Sequence, residues 1–586
     1  MKQASVAIPI KILLAAILIV TSGCQTSREE DLRVPDVSRS IGHTQIFFTR
    51  RGALTKNRRR IFPTGNYMKQ ASVAIPIKIL LAAILIVTSG CQTSREEDLR
   101  VPDVSRSIPR RSSSEVLQRP VKLSSGIGVL HQKVTTSSAE AQAYYNQGIA
   151  YLHSYGWIEA ARAFHEALRR DENLAMAHLG LARAYFNADA FEDAVKHLNR
   201  ASELAAQGKC TPKEAKWIAI IKLQMQAIFA PAGDQQTHLH NDYKHAIDEL
   251  IALDPADAHA WVLRGNAEES RPSGRGQGGG TEALGFYEKA LQLDSTHWGA
   301  DHYLVHSYEN LGKYEQAAEH AHKYATAAPG IAHAQHMYAH VLPRLGRWRD
   351  ALEQLILADR LEREYFTQGV APIEDWHRGH NLHLMGIAQL RLGNAEEARR
   401  LLKEAFDLEV RGVRDGRYID AWLEFLLLHE QYEEALVAAR SAQSRSSAVA
   451  RLLGAVREAE ALLALDRFTE ARTAHASVQK YFAEYEKEVS GHPVFQILIQ
   501  SYSRELLEPL EAQFALRGDN PQLGEESLIA LADDYCREAD FDSWATGLFR
   551  VEYFALVAKK AGRTELMRAL IDRLQCIDPD YTSRFR

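Results

Sequence analysis

Residues 298–351 read WGADHYLVHSYENLGKYEQAAEHAHKYATAAPGIAHAQHMYAHVLPRLGRWRDA and carry one pattern twice. A segment rich in aromatic residues and histidine leads into a turn, Asn310–Tyr314 in the first copy and Arg344–Trp348 in the second. A further segment follows each turn, and Ala317 and Ala351 hold equivalent places in these segments, 34 residues apart. The spacing of the apolar and small residues is helical, which predicts two helices per unit.

The same alanine marks other units along the chain. It recurs 34 residues apart at Ala160 and Ala194, it precedes Ala317 at Ala283, and it continues at slightly longer intervals at Ala398, Ala435 and Ala471. Nothing in the chain alternates with period two for long enough to predict a sheet.

The first unit shows which repeat family this is. Its first helix has a bulky, small, aromatic series, and its second helix an alanine, aromatic, alanine series: Tyr144, Gly148 and Tyr151, then Ala160, Phe164 and Ala167. This pattern resembles the tetratricopeptide repeat. The resemblance implies an all-α fold, a right-handed α-solenoid of helix–turn–helix repeats, with a concave groove lined mainly by the first (A) helices.

These observations predict five segments along the chain. In order, they are a duplicated or spurious extension (1–67), a lipoprotein-type signal segment (68–91), a flexible polar tether (92–138), the repeat array (139–480) with an insertion near 271–280, and irregular helical repeats ending in a cap (481–586).

The two N-terminal segments predict export. Met1–Ile41 recurs unchanged as Met68–Ile108, which favours a recent duplication or a start at Met68. The apolar run Ile79–Val87 is too short to span a bilayer, and the small residues before Cys91 resemble a bacterial lipobox. The resemblance implies lipidation at Cys91, and Gln92 after it favours the outer membrane, facing the periplasm. Contact with a membrane is then expected through the lipid alone.

Charge and cysteine content exclude other classes of protein. The formal net charge is −5, with 70 Lys and Arg against 75 Asp and Glu, so no basic surface for nucleic acid is expected. The five cysteines have no zinc-ribbon spacing. Motifs for zinc proteases, serine hydrolases and phosphate-binding loops are also missing.

The most informative residues are histidines placed in phase with the repeats. In tetratricopeptide repeats, positions 2, 5 and 9 of each A helix face the groove. Three successive units have histidines there and the next unit has charged residues: His302, His306, His333, His336, His340, His380 and His383, then Arg417, Asp420 and Glu424.

This phasing favours a metal site. Side chains four residues apart on a helix lie about 5–6 Å from each other, and neighbouring helices lie about 8–10 Å apart. Imidazoles on adjacent A helices can therefore meet at one ion, and such a shell suits a transition metal such as zinc, iron or copper. Asp420 or Glu424 would then be a ligand or a general base. His153, His165 and His197 are interpreted as ordinary structural histidines.

Two functions remain open at this stage. One is an envelope-anchored protein that binds a partner protein, a peptide or another ligand in its groove. Arg417 and Arg275 of the glycine-rich insertion are its candidate contacts, and Trp376 and His377 are expected to help close the groove's mouth. The other is a metal-dependent protein, either a hydrolase or an oxidoreductase. The sequence leaves open whether the chain is an enzyme.

Overall fold

The computed structural model describes residues 99–103, 105, 112–409, 416–518, 520–537 and 543–578. Within these ranges the chain is helical and contains no strand, so the predicted all-α, right-handed α-solenoid of helix–turn–helix repeats is confirmed. Cys91 and both signal-like segments lie outside these ranges, and no described helix is long and apolar enough to cross a membrane.

The helices follow one another in antiparallel pairs through most of the array. Their bounds are α1 Ser114–Gln118, α2 Ala139–His153, α3 Trp157–Arg170, α4 Ala175–Asn187, α5 Phe191–Ala206, α6 Pro212–Phe229, α7 Asp234–Leu253, α8 Ala258–Asn266, α9 Gly280–Leu293, α10 Trp298–Asn310, α11 Tyr314–Ala327, α12 Ala332–Val341, α13 Trp348–Phe366, α14 Trp376–Arg391, α15 Ala395–Asp407, α16 Gly416–Leu428, α17 Tyr432–Gln443, α18 Ala448–Ala464, α19 Phe468–Val489, α20 Phe495–Tyr502, α21 Glu508–Arg517, α22 Pro521–Arg537, α23 Leu548–Lys560 and α24 Thr564–Ile577.

Small residues fix the hairpins where the sequence predicts close helix crossings. The ring of Phe164 is buried between Gly148 and Gly180, and a Cβ added at either glycine would lie within 2.5 Å of that ring. The turn glycines Gly312 and Gly346 have φ values of +67° and +69°, a conformation that glycine adopts without strain. The repeat pattern is therefore set by close packing and by turn chemistry together.

The C-terminal region forms further helical hairpins, and α19 runs through the expected boundary at residue 480. Helices α21 and α22 pair, α23 and α24 pair, and α23 turns back to pack against α16. Arg391 at the end of α14 forms an ion pair with Asp578, just beyond α24. The cap thus closes onto the middle of the array.

The coil is tight enough for the first hairpin to contact residues between 149 and 221 positions later in the chain. The Nδ1 atom of His302 lies 2.6 Å from the carbonyl oxygen of His153, and the hydroxyl of Tyr324 donates to Ser154 over 2.8 Å. The indole of Trp376 donates to the carbonyl of Tyr155 over 3.1 Å. The end of α2 therefore lies beside α10, α11 and α14, inside the solenoid.

Residues 112–138, hereafter the strap, differ from the predicted flexible tether. Their backbone N–H groups are bound by side chains of α2: Ser124 donates to Gln147 over 2.7 Å and Val134 donates to Gln142 over 3.0 Å. Ile127 and Leu130 are buried. The strap is polar overall, but the apolar residues scattered along it anchor it to the A helices.

Candidate metal centre

Three of the predicted histidines meet on the inner surface of the solenoid. His302 and His306 lie one turn apart on α10, and His333 lies near the start of α12. His302 is fully buried, His333 is 6% exposed and His306 is partly exposed. One nitrogen from each ring lies within 4.8 Å of the others. We call this group the α10/α12 triad.

The hydrogen bonds of His302 fix its tautomer. A carbonyl oxygen only accepts hydrogen bonds, so the Nδ1 atom of His302 must donate to His153. Its Nε2 atom is then unprotonated in the neutral ring. A main-chain carbonyl on the far nitrogen is also the usual way that proteins orient a metal-binding imidazole.

The Nε2 atoms of the triad lie close together, and hydrogen bonds among them do not satisfy every donor and acceptor of the three rings. Nε2 of His302 lies 3.2 Å from Nε2 of His306 and 3.2 Å from Nε2 of His333. The single in-plane lone pair on Nε2 of His302 thus faces two ring nitrogens. In addition, the buried Nδ1 atom of His333 has no hydrogen-bond partner in the described structure. Ligand nitrogens around a tetrahedral zinc ion, with bonds of about 2.0–2.1 Å, lie about 3.3 Å apart. The observed spacing matches that edge.

Burial keeps two rings of the triad, His302 and His333, uncharged. Desolvation lowers the pKa of His302 to about 4, and it holds the pKa of His333 well below its ordinary value, aided by the neighbouring histidines. Both rings are therefore neutral at pH 7. A metal ligand must be unprotonated at the coordinating nitrogen, and these rings need not lose a proton to the solvent before binding.

Tyr155 covers the triad from the first hairpin. Its ring centroid lies 4.7 Å from that of His302 and 5.3 Å from that of His333. The residue has φ of +55° at the turn where later units have glycine or an acidic residue. A bulky side chain in this conformation is unusual and marks a constrained position. An aromatic residue at a turn that otherwise prefers glycine is the sequence signal that would have identified it.

A second group of three histidines, His153, His259 and His297, lies nearby and also gathers one nitrogen from each ring within 4.8 Å. Here hydrogen bonds occupy both ring nitrogens of His259 and of His297. Nδ1 of His297 accepts from the backbone N–H of Ala300, so its Nε2 carries the proton and donates to Nδ1 of His259 over 3.0 Å. His259 in turn donates to the carbonyl of His131. This group is a satisfied hydrogen-bonded chain, and His297 has no lone pair left for an ion.

The remaining predicted histidines form a group further along the coil. The ring of His336 lies 4.6 Å from that of His380, 5.9 Å from that of His340 and 4.4 Å from that of His377, which the sequence placed only near the groove's mouth. Glu309 accepts from His340 over 2.6 Å, and Glu362 accepts from His377. His383 lies beyond this group, beside Tyr418. The predicted row of histidines is thus continuous, although its described nitrogens converge within 4.8 Å only at the α10/α12 triad.

Asp420 and Glu424 are placed differently from the prediction. Arg457 binds both oxygens of Asp420 at 2.7 Å, and Arg550 of α23 pairs with Asp420 and with Glu424. Burial opposes ionisation of Asp420, yet the two guanidinium groups keep its pKa below the ordinary value. Burial raises the pKa of Glu424 to about 7. These carboxylates neutralise buried arginines and are not among the ligand atoms gathered at the triad.

The glycine-rich insertion already holds an anion of its own. Backbone N–H groups of Arg275, Gly276 and Gln277 donate to one carboxylate oxygen of Glu269, at 2.5–2.9 Å. The guanidinium of Arg275 lies over the rings of Tyr155 and Trp157. The backbone N–H groups of the insertion are therefore occupied by Glu269, and Arg275, the candidate ligand contact, lies against two aromatic rings. The side chain of Arg417 lies outside the described residues.

No protein-family model and no curated protein sequence matches the chain. Similar solved structures include yeast Tom70, at 17% identity over 72% of this chain and 77% of that chain, with a TM-score of 0.33. A tetratricopeptide repeat protein from Parabacteroides merdae is 14% identical over 49% of this chain and 98% of that chain, with a TM-score of 0.31. Pseudomonas aeruginosa pilF is 16% identical over 43% and 99%, with a TM-score of 0.28. Similarity at this level is confined to the helical-repeat architecture.

Proposed function

We propose that this chain is a metal-binding helical-repeat protein that holds one transition-metal ion, of the zinc, iron or copper class, at His302, His306 and His333. The observation that carries the proposal is the convergence of three Nε2 atoms, with two separations of 3.2 Å, around a ring whose tautomer is fixed by the carbonyl of His153. An ion between the three nitrogens would bind every lone pair that faces the centre.

Three histidine ligands leave a fourth position for water or substrate. This is the arrangement of catalytic zinc sites, whereas structural sites use four protein ligands. A zinc ion there would bring the pKa of its bound water to about 7 and supply a hydroxide nucleophile. With zinc the proposal is therefore a hydrolase, and with iron or copper an oxidoreductase. The partly exposed ring of His306 supports access for an ion from the solvent.

Elemental analysis tests the proposal directly. The full chain, purified without a histidine tag or chelator and then dialysed against zinc, is expected to retain one equivalent of metal. His333→Asn should lose it, because the Nε2 ligand is removed. His259→Asn should retain it, since His259 belongs to the satisfied hydrogen-bonded chain. His245→Asn, at an exposed histidine, controls for the substitution itself.

Equal metal content in the wild type and in His333→Asn would refute the site. Circular dichroism of each variant separates loss of the ligand from loss of the fold. If neither zinc, copper nor iron is retained by the wild type, the metal proposal fails as a whole.

A second candidate function is the binding of a partner protein or peptide along the groove, and the strap favours it. Side-chain amides of α2 bind backbone N–H groups of the strap, which is a way of holding the main chain of an extended segment. Gln142→Ala combined with Gln147→Ala should weaken retention of a partner captured from envelope extracts. A partner held equally by the variant and the wild type would contradict binding at this surface.

We also propose attachment to the cell envelope through a lipid on Cys91, facing the periplasm from the outer membrane. The support is the lipobox-like sequence before Cys91. Metabolic labelling with an alkyne fatty acid should mark the wild type and not Cys91→Ser, and only the wild type should sediment with membranes. Label on both proteins would overturn the assignment.

A further inference from the structure

A cavity of about 640 Å³ lies under the strap, beside the histidine row. Strap residues 120–125 and 127 form one wall, and the first turns of α3, α12 and α14 with the end of α13 form the others. Its volume is in the range of about 300–1,000 Å³ that small-molecule sites occupy. Its lining shares two residues with the proposed metal site: His333, a ligand, and Tyr155, whose ring covers the triad.

The cavity presents two carboxylates and a histidine nitrogen that can accept hydrogen bonds from a ligand. Glu159 and Asp375 line it, and among the described residues neither has a cationic group within ion-pairing distance. His377 also lines it and is 5% exposed. Nδ1 of His377 donates to Glu362, so Nε2 of the neutral ring is an acceptor, and that atom has no hydrogen-bond partner in the described structure.

The cavity also presents one donor that lacks an acceptor. Arg162 is 1% exposed, and its Nε atom donates to the carbonyl of Val116 over 2.8 Å. Its Nη2 atom has no hydrogen-bond partner among the described residues. A buried guanidinium nitrogen in this state carries a desolvation penalty that a carboxylate would relieve.

Electrostatics and aromatic walls support a ligand with both charges. Burial and the nearby Glu362 raise the pKa of Asp375 to about 7, and burial raises the pKa of Glu159. Burial is the largest cause of both shifts, and the nearby Arg162 offsets that of Glu159 only in part. Trp157 and Trp376 line the same space, and aromatic faces attract ammonium groups.

We propose that the cavity binds a zwitterion of amino-acid chemistry, with its ammonium group at Asp375, Glu159 and Nε2 of His377 and its carboxylate at Arg162. A free amino acid and a short peptide both carry this pair of charges. The proposal does not depend on the metal, because these contacts would be made by protein groups alone.

Isothermal titration calorimetry on the full chain tests this, with L-alanine, Ala-Ala, putrescine and propionate as probes and with a chelator present. We expect L-alanine or Ala-Ala to bind at least tenfold more tightly than putrescine or propionate. Which of the two binds distinguishes a free amino acid from a peptide. Asp375→Asn should weaken binding at least tenfold, because it removes the charge while keeping the side-chain oxygen that accepts from the first turn of α14. Arg162→Lys should also weaken it.

Glu396→Gln, at an exposed carboxylate, serves as the charge-matched control and should bind as the wild type does. Binding of putrescine as tight as that of the zwitterions would overturn the role of Arg162. Unchanged affinity in Asp375→Asn, or no heat from either zwitterion, would overturn the proposal itself. Since chelator is present throughout, each of these results is independent of the metal site.

Discussion

Acid is expected to loosen the array at His297, and the sign of the effect follows from its hydrogen bonds. His297 is fully buried, and its Nδ1 atom accepts the N–H of Ala300 at the start of α10. If Nδ1 of His297 were protonated, it would be a donor facing the backbone N–H donor of Ala300. Burial, aided by the adjacent His259, lowers the pKa of His297 to about 3. The folded state therefore binds fewer protons than the unfolded state below pH 6.5.

The size of the effect follows from the two pKa values. A group whose pKa is about 3 in the folded chain and 6.5 in the unfolded chain contributes its full stability above pH 6.5 and loses it as the pH falls toward 3. Between pH 7.5 and pH 5.0 the loss is about 2 kcal/mol for this one residue. His297→Asn removes the titration while keeping a side chain that caps helices well. The variant is expected to be less stable at pH 7.5 and to lose about 2 kcal/mol less on acidification.

Hydrogen exchange of peptides from α10 is the appropriate assay, because long repeat arrays do not unfold as one unit. The opening free energy, corrected for the intrinsic exchange rate, is measured at several pH values between 7.5 and 5.0 with chelator present. His245→Asn is the matched control and should keep the slope of the wild type. Equal slopes for the wild type and His297→Asn would refute the reasoning, since the buried ring would then not be the group that resists the proton.

Two further outcomes concern stability and the strap. Arg457→Met should lower the opening free energy of α18 by about 3–5 kcal/mol, because buried carboxylates lose their main counter-charge. Arg400→Met, at an exposed ion pair, should cost under about 1 kcal/mol. Equal losses for the two variants, measured by hydrogen exchange, would contradict this. Gly128→Ala should speed proteolysis of the strap, because Gly128 has φ of +73° and an added Cβ would lie 2.4 Å from the indole nitrogen of Trp298. Gly208→Ala has the same backbone strain with nothing within 4 Å and should leave the strap intact.

Much of the architecture could be predicted because it depends on local packing. The phase of Ala317 and Ala351 identifies the hairpins, since only small residues fit where the helices cross. The same phase placed His302, His306 and His333 on the inner surface, and the structure brings these three together. Periodicity is sufficient for such predictions because equivalent residues of neighbouring units occupy fixed positions relative to one another.

Contacts between distant parts of the coil could not be predicted in this way. Tyr155 reaches the triad because the solenoid is tightly wound, and the sequence of one repeat does not state the pitch of the whole. Asp420 was assigned to the metal because it holds a groove position in its unit. Its partner Arg550 comes from α23, which returns to α16 after the regular repeats have ended. This second counter-charge of Asp420, which joins Arg457, is 130 residues away in the chain.

The two groups of three histidines show why proximity alone does not define a metal site. Each gathers three nitrogens within 4.8 Å. In one, the backbone N–H of Ala300 fixes the proton of His297 on Nε2, so the lone pairs of His297 and His259 are both used and an ion would have to displace a hydrogen bond. In the other, the carbonyl of His153 fixes the proton of His302 on Nδ1, so the lone pair of Nε2 points at two further Nε2 atoms. The distances agree and the tautomers differ, and the tautomer is set in each case by a single main-chain group.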